Sequence, residues 1–410
     1  MLDLEFVRNQ FPAFSEPSLQ GQAHFENAGG SYACRQVIDR LCHYYRCTKV
    51  QPYYDFAASQ QAGQAMDQAY QRLAEYLNVD PDEVHLGPST SQNTVTLAQA
   101  VQSLLQPGDE IIVTNQDHEA NSGVWRKLAQ HGLVVREWPV DPDSGELNPA
   151  DLERLITDKT RLLAFPHCSN LVAHINPVSI ICAQARAAGV MTVVDGVSWA
   201  GHGLPDVSAL GADIYLFSLY KTYGPHQGVM VVRRAMAEQL GHQAHYFLAG
   251  APHKQFNTAG PDHAQVAAAT GVAEDCDAVH QHHFGTENTG DVLTRARQVR
   301  ELLHAAEQPL LQSLLDYLGQ RQDLRLLGPA DVRQRAATVS LISRRHTARE
   351  LGRALAARGI MAGAGHFYAY RLLEALGEDP QQGALRLSFV HYTHPQDMQQ
   401  LLQALDEVLG

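Results

Sequence analysis

The chain has 410 residues, 45% apolar and 18% charged, with a net charge of −13. That length calls for two domains with separate cores, and the acidic balance argues against nucleic acid or an anionic membrane surface as a partner. No run of about 18 apolar residues is present and Asp3 and Glu5 fall early, so neither a membrane span nor a secretory leader is expected.

The six cysteines, Cys34, Cys42, Cys47, Cys168, Cys182 and Cys276, form no CxxC pair. Neither a disulfide framework nor a metal site is expected, and a reducing, cytoplasmic setting is the default. In chain order, residues 1–20 read as a short helix and a Ser/Pro loop. His24–Gly30 reads as a short strand breaking into a glycine turn. Gln36–Tyr45 and Gln61–Leu77 carry apolar residues at helical spacing. Val84–Leu86 is a brief strand that opens into Gly87–Asn93, then a helix to about Leu105. Thr90 and Ser91 lie where that helix begins, and its free N–H groups make an anion site.

Strands and helices then alternate. Strands are expected at Glu110–Thr114, Leu133–Trp138, Arg161–Phe165, Met191–Val194, Asp213–Phe217 and Gly228–Val232, with helices at Asn121–Gln130 and Ile180–Ala188. This alternation predicts an α/β fold with a mainly parallel sheet. Residues 235–290 read as irregular, with His280, His282 and His283 as solvated histidines. After Asp291 a long helix leads into a smaller α+β domain, with strands at Thr338–Ile342 and Leu385–Phe389 and helices at Thr347–Arg358 and Pro395–Leu409. The expected division is an N-terminal segment (1–24) packing with the small domain, a large domain (25–260) and a small domain (261–410).

The functional signal is concentrated in Thr192–Pro225. One strand ends in Asp195, and the next in Ser218-Leu219-Tyr220-Lys221. Chemistry in parallel α/β sheets collects at the carboxyl ends of strands. A lysine and a carboxylate on such tips suit pyridoxal 5'-phosphate: the lysine forms the Schiff base and the acid keeps the pyridine nitrogen protonated. His118 sits on another tip, where an imidazole can stack on a flat cofactor. Arg386, in an apolar strand, needs an anion partner, and a carboxylate fits its fork. No GxxxxGK[ST] loop, GxGxxG or GxSxG supports a rival chemistry.

In collinear order from about Phe25 onward, over more than nine-tenths of its length, the chain resembles the class-V aminotransferase family of pyridoxal phosphate enzymes, in its cysteine desulfurase-like branch. The motifs are Phe25-Glu26-Asn27-Ala28-Gly29, Thr90-Ser91, His118, Ser169-Asn170, Asp195-Gly196, Ser218-Leu219-Tyr220-Lys221, Asn257-Thr258 and Arg386-Leu387-Ser388. The resemblance implies fold type I and a homodimer with shared active sites. It makes Lys221 the Schiff-base lysine, Asp195 the pyridinium partner and His118 the stacking base. It places Thr90, Ser91, Ser218 and Tyr220 at the phosphate, with Thr258 reaching it from the neighbouring subunit. Asn170 falls near cofactor and substrate, and Arg386 on the substrate carboxylate.

Departures from the family pattern are as informative. Ser198 replaces a glutamine near the cofactor, Tyr220 a histidine, and Asn257 a glycine. Tyr368, in Gly365-His366-Phe367-Tyr368-Ala369, stands where desulfurases carry the sulfur-accepting cysteine. Gly363 stands where that loop has an arginine. The reading is a pyridoxal phosphate enzyme acting on a small α-amino acid: a carbon–sulfur lyase working by β-elimination without an enzyme persulfide. An aminotransferase, an epimerase and a non-catalytic cofactor-binding regulatory protein are the alternatives.

Overall fold

The computed structural model describes residues 1–285 and 290–410. Twelve strands follow in chain order: β1 Ala23–Phe25, β2 Val84–Gly87, β3 Glu110–Thr114, β4 Val134–Trp138, β5 Thr160–Pro166, β6 Met191–Asp195, β7 Ile214–Ser218, β8 Gly228–Val232, β9 Leu324–Leu327, β10 Thr338–Ser343, β11 Ile360–Gly365 and β12 Ala384–Ser388.

The larger sheet has the order β2-β8-β7-β6-β5-β3-β4. From β4 to β7 every neighbouring pair is parallel, and β8 runs antiparallel to both β7 and β2. Its central strands are apolar on both faces, as a parallel sheet covered on both sides requires. Ile214 and Leu216 of β7 join one core with Ile111, Val113 and Trp125, while Tyr215 and Phe217 face the other with Phe165 and Val194. The period of two in the strands thus divides the interior.

The smaller sheet has the order β1-β11-β12-β10-β9. Its core is built from Phe25, Val339, Leu341, Leu385, Leu387 and Phe389 against Leu314, Leu351, Leu401 and Leu405 from three helices, Val292–Gly319, Ala348–Ala356 and Pro395–Leu409.

Two parts of the expected division differ. Phe25, assigned to the large domain, lies in β1, which pairs in parallel with β11 of the small sheet. Residues 261–284, assigned to the small domain and read as irregular, form two helices, His263–Ala268 and Thr270–Phe284. These pack on the helices Arg35–Cys47 and Ala57–Leu77. Their small residues Ala264, Ala267, Ala268 and Gly271 permit the close approach. The three histidines therefore stand on a helix: His280 is buried against Gln298, and His282 stacks on Phe6 and pairs with Asp3.

Candidate active site

Five loops meet at the carboxyl edge of the larger sheet and enclose a cleft of about 510 Å3, its open mouth included. They bring together Thr90, Ser91, His118, Asn170, Asp195, Ser198, Ser218, Tyr220 and Lys221. Each stands at or just past a strand's end, because polar residues cannot continue the apolar run inside the sheet.

Asp195 ends β6 and is buried. Burial pushes its carboxyl above the usual range, against the pull of the Val197 N–H and of Lys221. The Val197 N–H donates to Oδ1 at 2.9 Å. Lys221 closes the turn after β7. Burial first, and Arg386 second, push its amine down to about 8, while Asp195 and Glu26 oppose the shift. An amine so placed is the free base about a tenth of the time at pH 7, far more than an ordinary lysine.

At the far end, helix Thr90–Gln102 begins at the cleft with Ser89 accepting from the Gln92 N–H. The Thr90 and Ser218 hydroxyls are 2.8 Å apart. The Tyr220 ring, in the cleft wall, stacks on His226 with centroids 4.7 Å apart. Free N–H groups, hydroxyls and the positive end of a 13-residue helix make a phosphate seat.

His118 is held by the loop after β3. Buried Asp117 accepts from Thr114 and Asn121 and so fixes the chain on either side. The His118 Nδ1 accepts from the Ala120 N–H at 3.1 Å, so the neutral ring carries its proton on Nε2. Burial, then Lys221 and Arg386, push its pKa down to about 4. Its ring centroid lies 5.1 Å from that of Tyr368.

The remaining corner departs from the expectation. Arg386 is not in the wall of the cleft. Its side chain is 4% exposed and its Nη2 donates to Glu26 at 2.6 Å. Its Nη1 donates to the Asn170 carbonyl at 3.2 Å, and Phe367 covers its face at 3.9 Å. Asn170 does line the cleft. Its Nδ2 donates to the Phe367 carbonyl at 2.8 Å, and its buried Oδ1 has no partner. Sequence reasoning missed Glu26 in this role. The signal was present in the requirement of a strand arginine for an anion, but the partner lies 360 positions away.

Within one chain, Thr258 is not brought into the cleft. It lies in an adjoining groove with Gln92, His226 and Asn257 that meets the cleft at Ser89. Cys168 is in the cleft wall but buried, with burial pushing its thiol up to about 12. Among the described residues no cluster of His, Cys, Asp and Glu has the makings of a metal site, and no helix is long and apolar enough to cross a membrane.

The donor set fits pyridoxal phosphate. A buried carboxylate with a single backbone donor suits a protonated ring nitrogen, the helix start suits the phosphate, and a depressed lysine suits the aldehyde.

Comparison with known proteins agrees. The family model for aminotransferase class-V matches residues 23–401. The aminotransferase-like protein FGM3 of Gibberella zeae is 34% identical over 99% of this chain and 98% of its own length. A cysteine desulfurase of Pectobacterium atrosepticum is 30% identical over 99% of this chain and 98% of its own. The nonribosomal peptide synthetase-like enzyme fsqF of Aspergillus fumigatus is 31% identical over 98% of this chain, which spans 26% of that protein. In fold, the chain is similar to the cysteine desulfurase CsdA of Escherichia coli (TM-score 0.82, 24% identity, 100% of this chain and 99% of that one). It is likewise similar to the cysteine desulfurase of Thermococcus onnurineus (TM-score 0.85, 22% identity, 100% and 98%). The α/β architecture is thus the fold of pyridoxal phosphate enzymes of type I, and the chain belongs to the class-V aminotransferase family of these enzymes.

Proposed function

We propose that this protein is a pyridoxal phosphate-dependent lyase. It would break a carbon–sulfur bond of a small amino-acid substrate by β-elimination and release the sulfur directly. Pyridoxal phosphate, when bound, supplies an electron sink for negative charge at the substrate's α-carbon. Asp195 would keep the proton on the ring nitrogen. Thr90, Ser91, Ser218 and Tyr220 would hold the phosphate with the helix start. His118, neutral at working pH, offers a flat face and an Nε2–H. Lys221 would hold the cofactor through its aldehyde and would serve as the base for the substrate's α-proton. An amine with a pKa of about 8 is well matched to that transfer.

The observation that carries the absence of a persulfide is Tyr368. A phenol cannot take up sulfur where a thiolate is required. The cleft's own cysteine is no substitute: Cys168 keeps its proton and donates to the Ala173 carbonyl at 3.2 Å. Mass spectrometry of intact protein during turnover of cysteine, without added thiol, tests this. The mass should not change, and a stoichiometric gain of one sulfur would restore the desulfurase. The relation to an aminotransferase-like protein favours transamination as the second reading. Quantifying pyruvate against pyridoxamine phosphate separates the two.

The working unit in this reading is a homodimer. Exposed aromatic residues Tyr53, Tyr54, Phe56, Tyr246 and Phe247 cluster in two segments that approach each other near Asn257, and a patch of this kind marks an interface. In this reading a second copy buried against it would bring Thr258 to that copy's phosphate seat. Sedimentation should give a dimer, and Thr258→Ala should weaken cofactor binding; a fully active monomer would refute this. All six cysteines are free, which suits a reducing, cytoplasmic setting.

A further inference from the structure

Arg386 and Glu26 are already paired, with Nη2 donating to Oε1 at 2.6 Å. From this pair we infer that the substrate's carboxyl group arrives masked, as an amide, ester or thioester without charge. This deepens the reading of the site as a pyridoxal phosphate enzyme and rests on it.

The argument begins with space. The Glu26 carboxylate lies in a hollow kept open by two glycines. A Cβ on Gly29 would stand 1.9 Å from Glu26 Oε2, and a Cβ on Gly363 would stand 3.0 Å from Oε1 and 2.8 Å from the Phe367 ring. Neither position tolerates a side chain while Glu26 and Phe367 keep their places. At Gly363 the related enzymes have an arginine; here that cation is missing and an acid reaches in. The acyl corner has lost one positive charge, and Glu26 neutralises the other.

The second step is charge. The Arg386 guanidinium points Nη2 at Glu26 and Nη1 at a backbone carbonyl, its Nε is buried without a partner, and its face is covered by Phe367. A substrate carboxylate would have to expel Glu26 and strand a second negative charge beside it. Like charges side by side are disfavoured here, where Arg386 is buried and Glu26 is only 31% exposed. The group of this corner that does face the cleft is Asn170. Its Nδ2 is engaged, and its Oδ1 is a buried acceptor without a partner. An acceptor repels a carboxylate and welcomes an N–H. An amide satisfies it best, and an ester or thioester at least adds no charge.

The test is a spectral titration of the holoenzyme with L-alanine, L-alaninamide and the N-acetylcysteamine thioester of alanine, following the cofactor band. The amide stands for a peptidic or amidated substrate, the thioester for an acyl group on a pantetheine arm. Both masked forms should bind at least tenfold more tightly than the free acid, and the tighter of the two names the source. Glu26→Gln should shrink or invert the ratio by releasing the Arg386 fork. Glu26→Asp, one methylene too short to hold the pair, should do the same in smaller measure and guards against misfolding of the first variant. Free alanine bound as tightly as alaninamide by the wild type, or a ratio unmoved in both variants, overturns the inference while leaving the cofactor reading intact. A band that responds to none of the three overturns both.

Discussion

The two ends of the cleft are built on opposite plans. At the cofactor end, Asp195, Lys221, Thr90 and Ser218 are short of partners and turned towards a shared space. At the acyl end, Arg386, Glu26, Phe367 and Asn170 are tied to one another, with only Arg386 Nε and Asn170 Oδ1 of their buried polar atoms left unpaired. The first plan waits for a ligand and the second excludes one kind of ligand. Cofactor chemistry is generic to the fold, so its residues stay open for it. Substrate choice is particular, so it is written in contacts the protein closes by itself.

The strongest way to break this contrast is Lys221→Ala. Turnover should fall by about ten-thousandfold, from loss of both anchor and base. Borohydride should then no longer fix the cofactor to the peptide containing residue 221. Asp195→Asn, which keeps shape and removes charge, should cost roughly a hundredfold in rate and weaken cofactor binding, measured by dialysis against apo-protein. Arg386→Ala tests the other end: it strands Glu26. Because Glu26 is 31% exposed, the cost should be about 2 kcal/mol, below that of a fully buried pair. Cofactor capture should survive, and its loss would show that the two ends are one unit.

The pH profile sharpens the comparison further. Capture of pyridoxal phosphate by apo-protein needs the free amine of Lys221. Its rate should climb about tenfold per pH unit up to about 8 and level off above it. His118, held near 4, should leave no inflection around 6.5. A rise continuing towards 10 would mean that Lys221 is not in this buried setting. The smallest effect belongs to Tyr368→Phe. Its side chain is 64% exposed, so the change should alter turnover less than about threefold.

The cofactor end was legible from sequence because each of its residues ends an apolar strand. Val193-Val194-Asp195 and Leu216-Phe217-Ser218 announce their own boundaries. The acyl end was not, because it is made by pairing distant segments. Nothing local in Ile360–Gly365, with its two glycines, signals a strand; β1 and β12 on either side of it supply the reason. Glu26 read as a turn residue until the small sheet set it beside Arg386. The histidines of Thr270–Phe284 read as loop because polar composition hid the helical packing that buries His280.

Phe367 and Tyr368 both sit in the left-handed region, at φ of 50° and 57°. Two consecutive non-glycine residues there cost roughly 1–3 kcal/mol each. They persist because each carbonyl is caught, one by Asn170 and the other by the Glu119 N–H, both at 2.8 Å. A loop that ferries cargo to another protein has to swing its tip outward. This one is bolted to the cleft at two adjacent residues, a wall and not an arm. In the proposed reading, whatever leaves the substrate would leave by diffusion.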